Sequence, residues 1–221
     1  MIRLVLAALL VVATACSADT PRSRVDRAVE AMAHLRGVRF SLVATTRATG
    51  QAPSGGELRT TLRATGELVP PDRLRLAVDR GGGTVELVLI GERAWRDGRL
   101  VAVGAERSFD RPLAALNAVR GSGTVSAAGA GLTRGAVTAR YRIDLGPLEL
   151  LERLGPGEEV DGAARGSIEV ELGLFDDLIR RQTFTVSEPV EGDGSGLDTV
   201  ATTYVIEYWD FDTALEVREP N

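Results

Sequence analysis

The sequence predicts an α+β fold: a single curled antiparallel β-sheet, a half-barrel of about ten strands, wrapped around a few α-helices. Three observations support this. Long stretches alternate apolar and polar residues with a period of two, as half-buried antiparallel strands do. Short turn sequences join these stretches. The leucine-rich helical segments are too short to be stable alone, so they must pack on a sheet, and a sheet of this size curls.

The first predicted element after the N-terminus is an amphipathic helix. Ser23 is placed to cap it, with Asp26 three residues later, and Gly37 is placed to end it. Apolar residues recur at helical spacing along one face: Val25, Ala28, Val29, Met32 and Leu35. This face predicts a helix that covers another apolar surface.

The next segments predict a meander of about six strands. Residues 38–45, 58–68 and 73–79 alternate between apolar and polar types, and strands follow at 84–90, 93–96 and 100–103. Gly91-Glu92 and Asp97-Gly98 suit two-residue hairpin turns. The short turns predict that successive strands pair as neighbours.

The second half predicts two short helices and four more strands. Proline opens and glycine closes each helix, at 113–120 and 148–154. The strands are predicted at 137–145, 167–172, 178–186 and 199–209, with loops at 122–135 and 191–196. No linker in the middle favours two domains, so residues 23–221 are interpreted as one domain.

The N-terminus indicates export and lipid attachment. Arg3 precedes a short apolar core, Leu4 to Val12. A helical stretch of about twelve residues spans roughly 18 Å, which is too short for a bilayer core of about 30 Å. Residues 1–15 are therefore interpreted as a cleaved signal peptide and 16–22 as a tether. Ala13-Thr14-Ala15 before Cys16, the single cysteine, resemble a bacterial lipobox. An ordinary secretory signal with a chance cysteine is the alternative.

Charge and composition restrict the function. Cleavage before Cys16 removes Arg3, leaving 25 basic and 31 acidic residues, a net charge near −6. This argues against nucleic acid as a partner. Aromatic residues make up only 5% of the chain, and small aliphatic side chains leave space that large rings would fill, although they also pack solidly. A cavity and a filled core both stay open on this evidence.

The residues give little support for an enzyme or a metal site. His34, the single histidine, lies off the apolar face of the first helix and is interpreted as a surface residue. The carboxylate pairs Asp176-Asp177 and Glu158-Glu159 suit solvated turns better than acid–base catalysis. The acidic stretch 191–198 lacks the spacing of an EF-hand. The sequence implies no cofactor.

The order of several segments resembles the LppX/LprG family of bacterial lipoproteins and, more distantly, LolA-type carriers and RseB-type sensors. The lipobox and first helix are followed by these segments: residues 88–95, 141–144 leading into the helix at 147–151, 168–172, 178–181, 208–212 and 215–217. Each segment alone is a weak indication of the family. The resemblance depends on their order, and it covers nearly all of the chain after Cys16.

The resemblance implies a lipid-anchored protein on the outer face of the cell membrane, acylated at Cys16, for example with palmitate. It implies an apolar cavity between sheet and helices that binds, and in some members transfers, lipids or acylated glycolipids. An envelope transporter or regulator protein is the implied protein partner, and a sensor or scaffold of the RseB type is the alternative function. No catalytic residue accompanies the resemblance.

Successive side chains of a strand point to opposite faces, so every second residue is predicted to face the concave side of the half-barrel. We call this reasoning parity. A register error of one residue would move a whole set to the opposite face. The candidate cavity-lining residues are Phe40, Leu42, Leu62, Leu76, Val85, Leu87, Leu89, Tyr141 and Ile143.

Overall fold

The computed structural model describes residues 19–50, 58–79, 81–102, 116, 119–120, 123–145, 165–189 and 197–220. Within these ranges the chain forms one complete helix, eleven strands and part of a second helical segment at Leu116 and Val119. The elements in chain order are α1 (Pro21–Ala33), β1 (Val38–Gly50), β2 (Leu58–Val69), β3 (Arg73–Asp79), β4 (Thr84–Ile90), β5 (Arg93–Arg96), β6 (Arg99–Val101), β7 (Thr124–Thr133), β8 (Ala136–Leu145), β9 (Arg165–Gly173), β10 (Ile179–Pro189) and β11 (Leu197–Trp209).

All eleven strands belong to one antiparallel sheet with the order β6-β5-β4-β3-β2-β1-β11-β10-β9-β8-β7. The sheet consists of two meanders, and the first and last strands join them: Phe40 of β1 pairs with Tyr208 of β11. β6 and β7 are the two edges, so the sheet is open. Its inner surface and α1 share one apolar core, which confirms the single curled sheet.

Helix α1 begins three residues earlier than the sequence predicts. Thr20, not Ser23, is the N-cap: its side chain accepts a hydrogen bond from the Ser23 backbone N–H at 3.1 Å. Pro21 follows at the first helical position, where a missing N–H costs nothing. Four of the five predicted apolar-face residues, Val25, Ala28, Val29 and Met32, are buried on the helix, but the helix ends at Ala33 rather than before Gly37, so Leu35 lies beyond it.

Two other predictions differ from the structure. Residues 122–135, predicted as a loop, contain β7, which pairs with β8 from Thr124 to Thr133 with a bulge between Ala127 and Gly129. Small residues have low strand propensity, and pairing with β8 overrides it. A few helices were predicted, whereas the described residues contain a single complete helix.

The two predicted short helices lie largely outside the described residues. Leu116 and Val119 are helical, and both are buried in the main core. The helix predicted at 148–154 and the loop predicted at 191–196 fall outside the described ranges. No helix of the described part is both long and apolar enough to cross a bilayer.

The C-terminal segment packs on the convex side of the sheet. Val217 is 1% exposed and contacts Val88 and Trp95, whose side chains point away from the main core. The Arg73 Nη1 atom donates to the Val217 carbonyl at 3.5 Å, and Arg93 forms an ion pair with Glu219. The chain end thereby fastens β3, β4 and β5 from outside.

Candidate functional site

The concave face of the sheet is the candidate site, and the structure places all nine predicted residues there. Six are buried in the main core: Phe40, Leu42, Leu76, Leu87, Tyr141 and Ile143. Three are partly buried and pack against it: Leu62, Val85 and Leu89. Parity therefore assigned the correct face on β1, β2, β3, β4 and β8. Whether these side chains contact a ligand stays a prediction.

Exposure of the concave face changes along the strands. In β1, Phe40 and Leu42 are 0% and 2% exposed, whereas Ala44 and Thr46, on the same face, are half-buried. In β2, exposure rises from 3% at Ala64 to 67% at Leu58. The core is thus closed where β1 begins and becomes accessible toward the end of β1.

A continuous line of side chains crosses the sheet where exposure begins. Residues that pair directly across two neighbouring strands point to the same face of the sheet. Following such pairs from strand to strand connects one residue on each of seven strands. We call this line the apolar row: Leu62, Ala44, Tyr204, Phe184, Ile168, Ile143 and Val125.

Burial within the apolar row is uneven. Ile168 and Ile143 are almost fully buried, whereas Leu62, Ala44 and Tyr204 are half-buried. The Phe184 and Tyr204 rings stack with centroids 6.2 Å apart. Ala44 lies between two larger neighbours, so the row is shallowest at that position. Such a surface can accept an apolar chain but carries no fixed polar chemistry.

Threonines replace apolar residues one step further along the strands. Thr46 pairs with Thr60 on one side and Thr202 on the other. The Thr46 and Thr202 hydroxyls are 3.1 Å apart and hydrogen-bonded. The concave face therefore passes from an aliphatic core through the apolar row to a hydroxyl-bearing border, a polarity gradient that suits an amphipathic ligand.

One buried polar pair lies within the closed part of this face. The Tyr208 hydroxyl donates to the Gln182 Oε1 atom at 2.9 Å, and both residues are 1% exposed. Burial raises the pKa of Tyr208 far above its ordinary value. The hydroxyl is therefore neutral at all physiological pH values and fixes the side chain of Gln182 in the core.

Parity reasoning missed half of the concave face. The strands β9, β10 and β11 contribute Val170, Phe184, Ile206 and Tyr208 to the same core. Their alternation was visible in the sequence, for example at residues 204, 206 and 208. The sequence does not show that β11 lies beside β1, which is what brings these residues next to Phe40 and Leu42.

The described residues contain no cluster of metal-ligating side chains. No group of three or more His, Cys, Asp or Glu side chains in the described ranges is arranged to hold a metal ion. His34 is exposed at the C-cap of α1, as the sequence predicts. Cys16, residues 1–15, the pair Glu158-Glu159 and most of the acidic stretch 191–198 lie outside the described residues.

No family model and no curated protein matches the sequence. Solved structures do match. The lipoprotein LppX of Mycobacterium tuberculosis aligns over 91% of this chain and 100% of its own, with a TM-score of 0.57 and 14% identity. LprF of Mycobacterium bovis aligns over 90% and 96%, with a TM-score of 0.51 and 13% identity. A LolA superfamily protein of Nitrosomonas europaea covers 87% and 92%, with a TM-score of 0.32 and 11% identity.

The two mycobacterial matches cover almost the whole of both chains, so the likeness concerns the complete sheet rather than one hairpin. The segment order that suggested this resemblance in the sequence is thereby confirmed at the level of fold. The chain has the fold of the LppX and LprF lipoproteins.

Proposed function

We propose that this protein is a lipid-anchored lipoprotein on the extracytoplasmic face of the cell membrane that binds a lipid or acylated glycolipid on the concave face of its sheet. The observation that carries this proposal is the apolar row, which joins a closed aliphatic core to a half-exposed surface. Acyl chains would lie along the row, and the polar headgroup would be directed toward the threonine border formed by Thr46, Thr60 and Thr202.

Binding at such a site is driven by the transfer of acyl chains from water to the apolar surface of the protein. Each methylene removed from water contributes roughly 0.8 kcal/mol, so ten methylenes contribute about 8 kcal/mol before the cost of ordering the chain is subtracted. No covalent step is needed, and specificity would come from the shape and depth of the concave face. A bound lipid can then be passed on by reversal of the same partitioning.

The anchor is the second part of the proposal. Acylation of Cys16 would hold the protein at the membrane, and two or three acyl chains would give stable attachment where one chain gives marginal attachment. The single cysteine also favours a role other than an internal disulfide.

Lipid extraction from the purified protein tests the binding function. The protein is isolated from membranes, washed with detergent-free buffer, extracted with organic solvent and analysed by mass spectrometry. We expect one lipid species, or one class, in a near-stoichiometric amount. Protein recovered free of non-covalent lipid, together with a partner protein that co-purifies, would contradict the binding function and favour the sensor or scaffold alternative.

Intact-mass analysis tests the anchor separately. The expected species begins at Cys16 and carries the added mass of acyl groups. A Cys16→Ser variant is the matched control, since it keeps the tether and removes the thiol. An unacylated native chain would contradict the anchor without affecting the lipid-extraction result.

A further inference from the structure

Exposed apolar side chains are concentrated at one place on the molecule. Six large hydrophobic residues of the described ranges are exposed, and four of them lie together at the β7–β8 and β9–β10 turns. We call these four the apolar tip: Leu132 (69% exposed), Val137 (47%), Leu174 (39%) and Phe175 (97%).

The residues of the apolar tip adjoin one another. Leu132 and Val137 are direct cross-strand partners in the β7–β8 hairpin. The Leu174 N–H donates to the Val137 carbonyl at 3.2 Å, which joins the β9–β10 turn to that hairpin. Phe175 follows Leu174 in the same turn and is almost fully exposed. Exposed apolar side chains grouped at one end of a folded domain are a common feature of interaction sites.

Ion pairs fasten the start of α1 to the same turn. Arg24 Nε lies 2.8 Å from Asp177 Oδ1, and Arg27 Nη2 lies 3.3 Å from Asp177 Oδ2. Arg27 also binds Asp19, with an N–O distance of 2.8 Å. Asp19, the first described residue, is thus held beside the β9–β10 turn by two links through Arg27.

Chain length places the proposed anchor close to the apolar tip. Only Ser17 and Ala18 separate Cys16 from Asp19. Three residue steps span at most about 11 Å even when fully extended. If Cys16 is acylated, as proposed above, its lipid holds Asp19 within that distance of the bilayer interface, and the contacts of Arg27 with Asp19 and Asp177 keep the β9–β10 turn on the same side of the molecule.

Charge at the tip is also compatible with a membrane surface. The turn contains two carboxylates, and both have arginine partners: Asp176 pairs with Arg180, and Asp177 pairs with Arg24 and Arg27. The carboxylates are therefore neutralised locally, which reduces their repulsion by anionic lipid headgroups.

We propose that the apolar tip is the surface by which the anchored protein docks on its own membrane, with Phe175 inserted at the headgroup–acyl boundary. The inference rests on the proposed acylation of Cys16. Docking would restrict the rotation that a short tether otherwise allows and would give the concave face a fixed orientation to the bilayer. A phenylalanine ring at a loop tip has the apolar area that interfacial insertion uses.

Lipid-borne quenching of a site-specific fluorophore tests the proposal. The native membrane-anchored protein is reconstituted in phosphatidylethanolamine–phosphatidylglycerol vesicles containing a lipid with a nitroxide on its acyl chain. Phe175→Cys, labelled with a polarity-sensitive fluorophore, is compared with Leu58→Cys. Leu58 is also exposed, at 67%, but it lies at the opposite end of the sheet from the apolar tip. It begins β2 next to the end of β1, whereas the β9–β10 turn lies next to the start of β1. The acylated Cys16 thiol does not react with the label.

We expect quenching at position 175 to exceed that at position 58 by at least about twofold, as insertion by 5–10 Å requires. Leu174→Cys, at the same tip, should give an intermediate value. Vesicle-bound protein with equal quenching at 175 and 58 would overturn the docking surface while leaving the anchor intact. Protein that fails to associate with vesicles and whose Cys16 takes up the label would overturn the anchor, and the docking surface with it.

Discussion

The Tyr208 hydroxyl donates a 2.9 Å hydrogen bond to Gln182 Oε1 across the β10–β11 pair, inside an otherwise apolar core. The Tyr208 ring also contacts Phe40, with ring centroids 6.3 Å apart. Tyr208 lies where the two meanders meet, because it is the cross-strand partner of Phe40 in the β1–β11 pair. It is therefore a sensitive point for stability.

Replacing the hydroxyl should weaken the fold. Tyr208→Phe keeps the ring and leaves the buried Gln182 Oε1 without this donor, so we expect the free energy of unfolding to fall by about 1–3 kcal/mol. Urea denaturation followed by fluorescence or circular dichroism measures it. Tyr208→Leu, which also removes ring contacts, should cost more. Equal stability of Tyr208→Phe and the native protein would contradict the structural role of the bond.

High pH should destabilise the protein through the same residue. Burial raises the pKa of Tyr208 above the ordinary tyrosine value of 10.0. The unfolded chain then loses a proton that the folded chain keeps, so stability is complete below pH 10 and falls above it. The slope for one proton is about 1.4 kcal/mol per pH unit.

The Tyr208→Phe variant isolates this contribution. Denaturation curves at pH 9 and pH 11 should show a loss about 1 kcal/mol larger in the native protein than in the variant. The other two tyrosines are present in both proteins and cancel in the comparison. Identical pH dependence of the two proteins would show that Tyr208 ionises as freely when folded as when unfolded.

Filling the apolar row should reduce lipid binding. Ala44 is half-buried between Leu62 and Tyr204, so Ala44→Phe puts a ring on the concave face. We expect the amount of co-purified lipid to fall by about tenfold, which corresponds to a loss of roughly 1.4 kcal/mol. Quantitative mass spectrometry of extracted lipid measures it.

Val43→Phe is the matched control for this change. Val43 precedes Ala44 in β1 and therefore points to the convex face. It adds a similar ring at a similarly half-buried position, so it should leave the lipid content unchanged. A parallel loss in both variants would indicate general destabilisation, and an unchanged lipid content in Ala44→Phe would exclude the apolar row as the binding surface.

Glu171 is a buried carboxylate on the convex side of β9, opposite in direction to Val170 and Leu172. It accepts hydrogen bonds from the hydroxyls of Thr133 and Thr138, and its Oε1 lies 3.3 Å from Arg140 Nη2. Glu171→Ala removes the acceptor of the two buried threonine hydroxyls, whereas the half-exposed Arg140 stays solvated, so we expect a loss of about 2 kcal/mol in the free energy of unfolding.

Glu169→Ala is the control in the same strand and on the same face. The Glu169 side chain is 40% exposed and lies 3.9 Å from Arg142, so its removal should cost less than about 1 kcal/mol. Chemical denaturation of the two variants compares them directly. Similar losses would indicate that burial of Glu171 contributes nothing to the stability of the β7–β8–β9 region.

Several local features of the fold were predictable from short sequence patterns. The alternation at residues 38–44 predicts a strand, and the structure has β1 there. Gly91-Glu92 and Asp97-Gly98 form turns as predicted, because their conformations are set within a few residues. Parity found the concave side chains of β1 to β4, since a strand needs no partner to define its two faces.

Other features depended on contacts between distant residues. The strand β7 forms from alanine and glycine because β8 supplies the pairing. The apolar tip arises only where the β7–β8 hairpin meets the β9–β10 turn through Val137 and Leu174. No short sequence pattern predicts which of these distant segments come into contact.

The sequence alone determined the period-two strands and the apolar face of the first helix, because each depends on residues within a few positions of one another. The tertiary structure decided that β1 pairs with β11, which brings residues such as Phe40 and Tyr208 together across more than half of the chain. That pairing joins two separate meanders into one concave surface. Its physical cause is the shared burial of both apolar faces, which is a property of the folded chain and of no single segment.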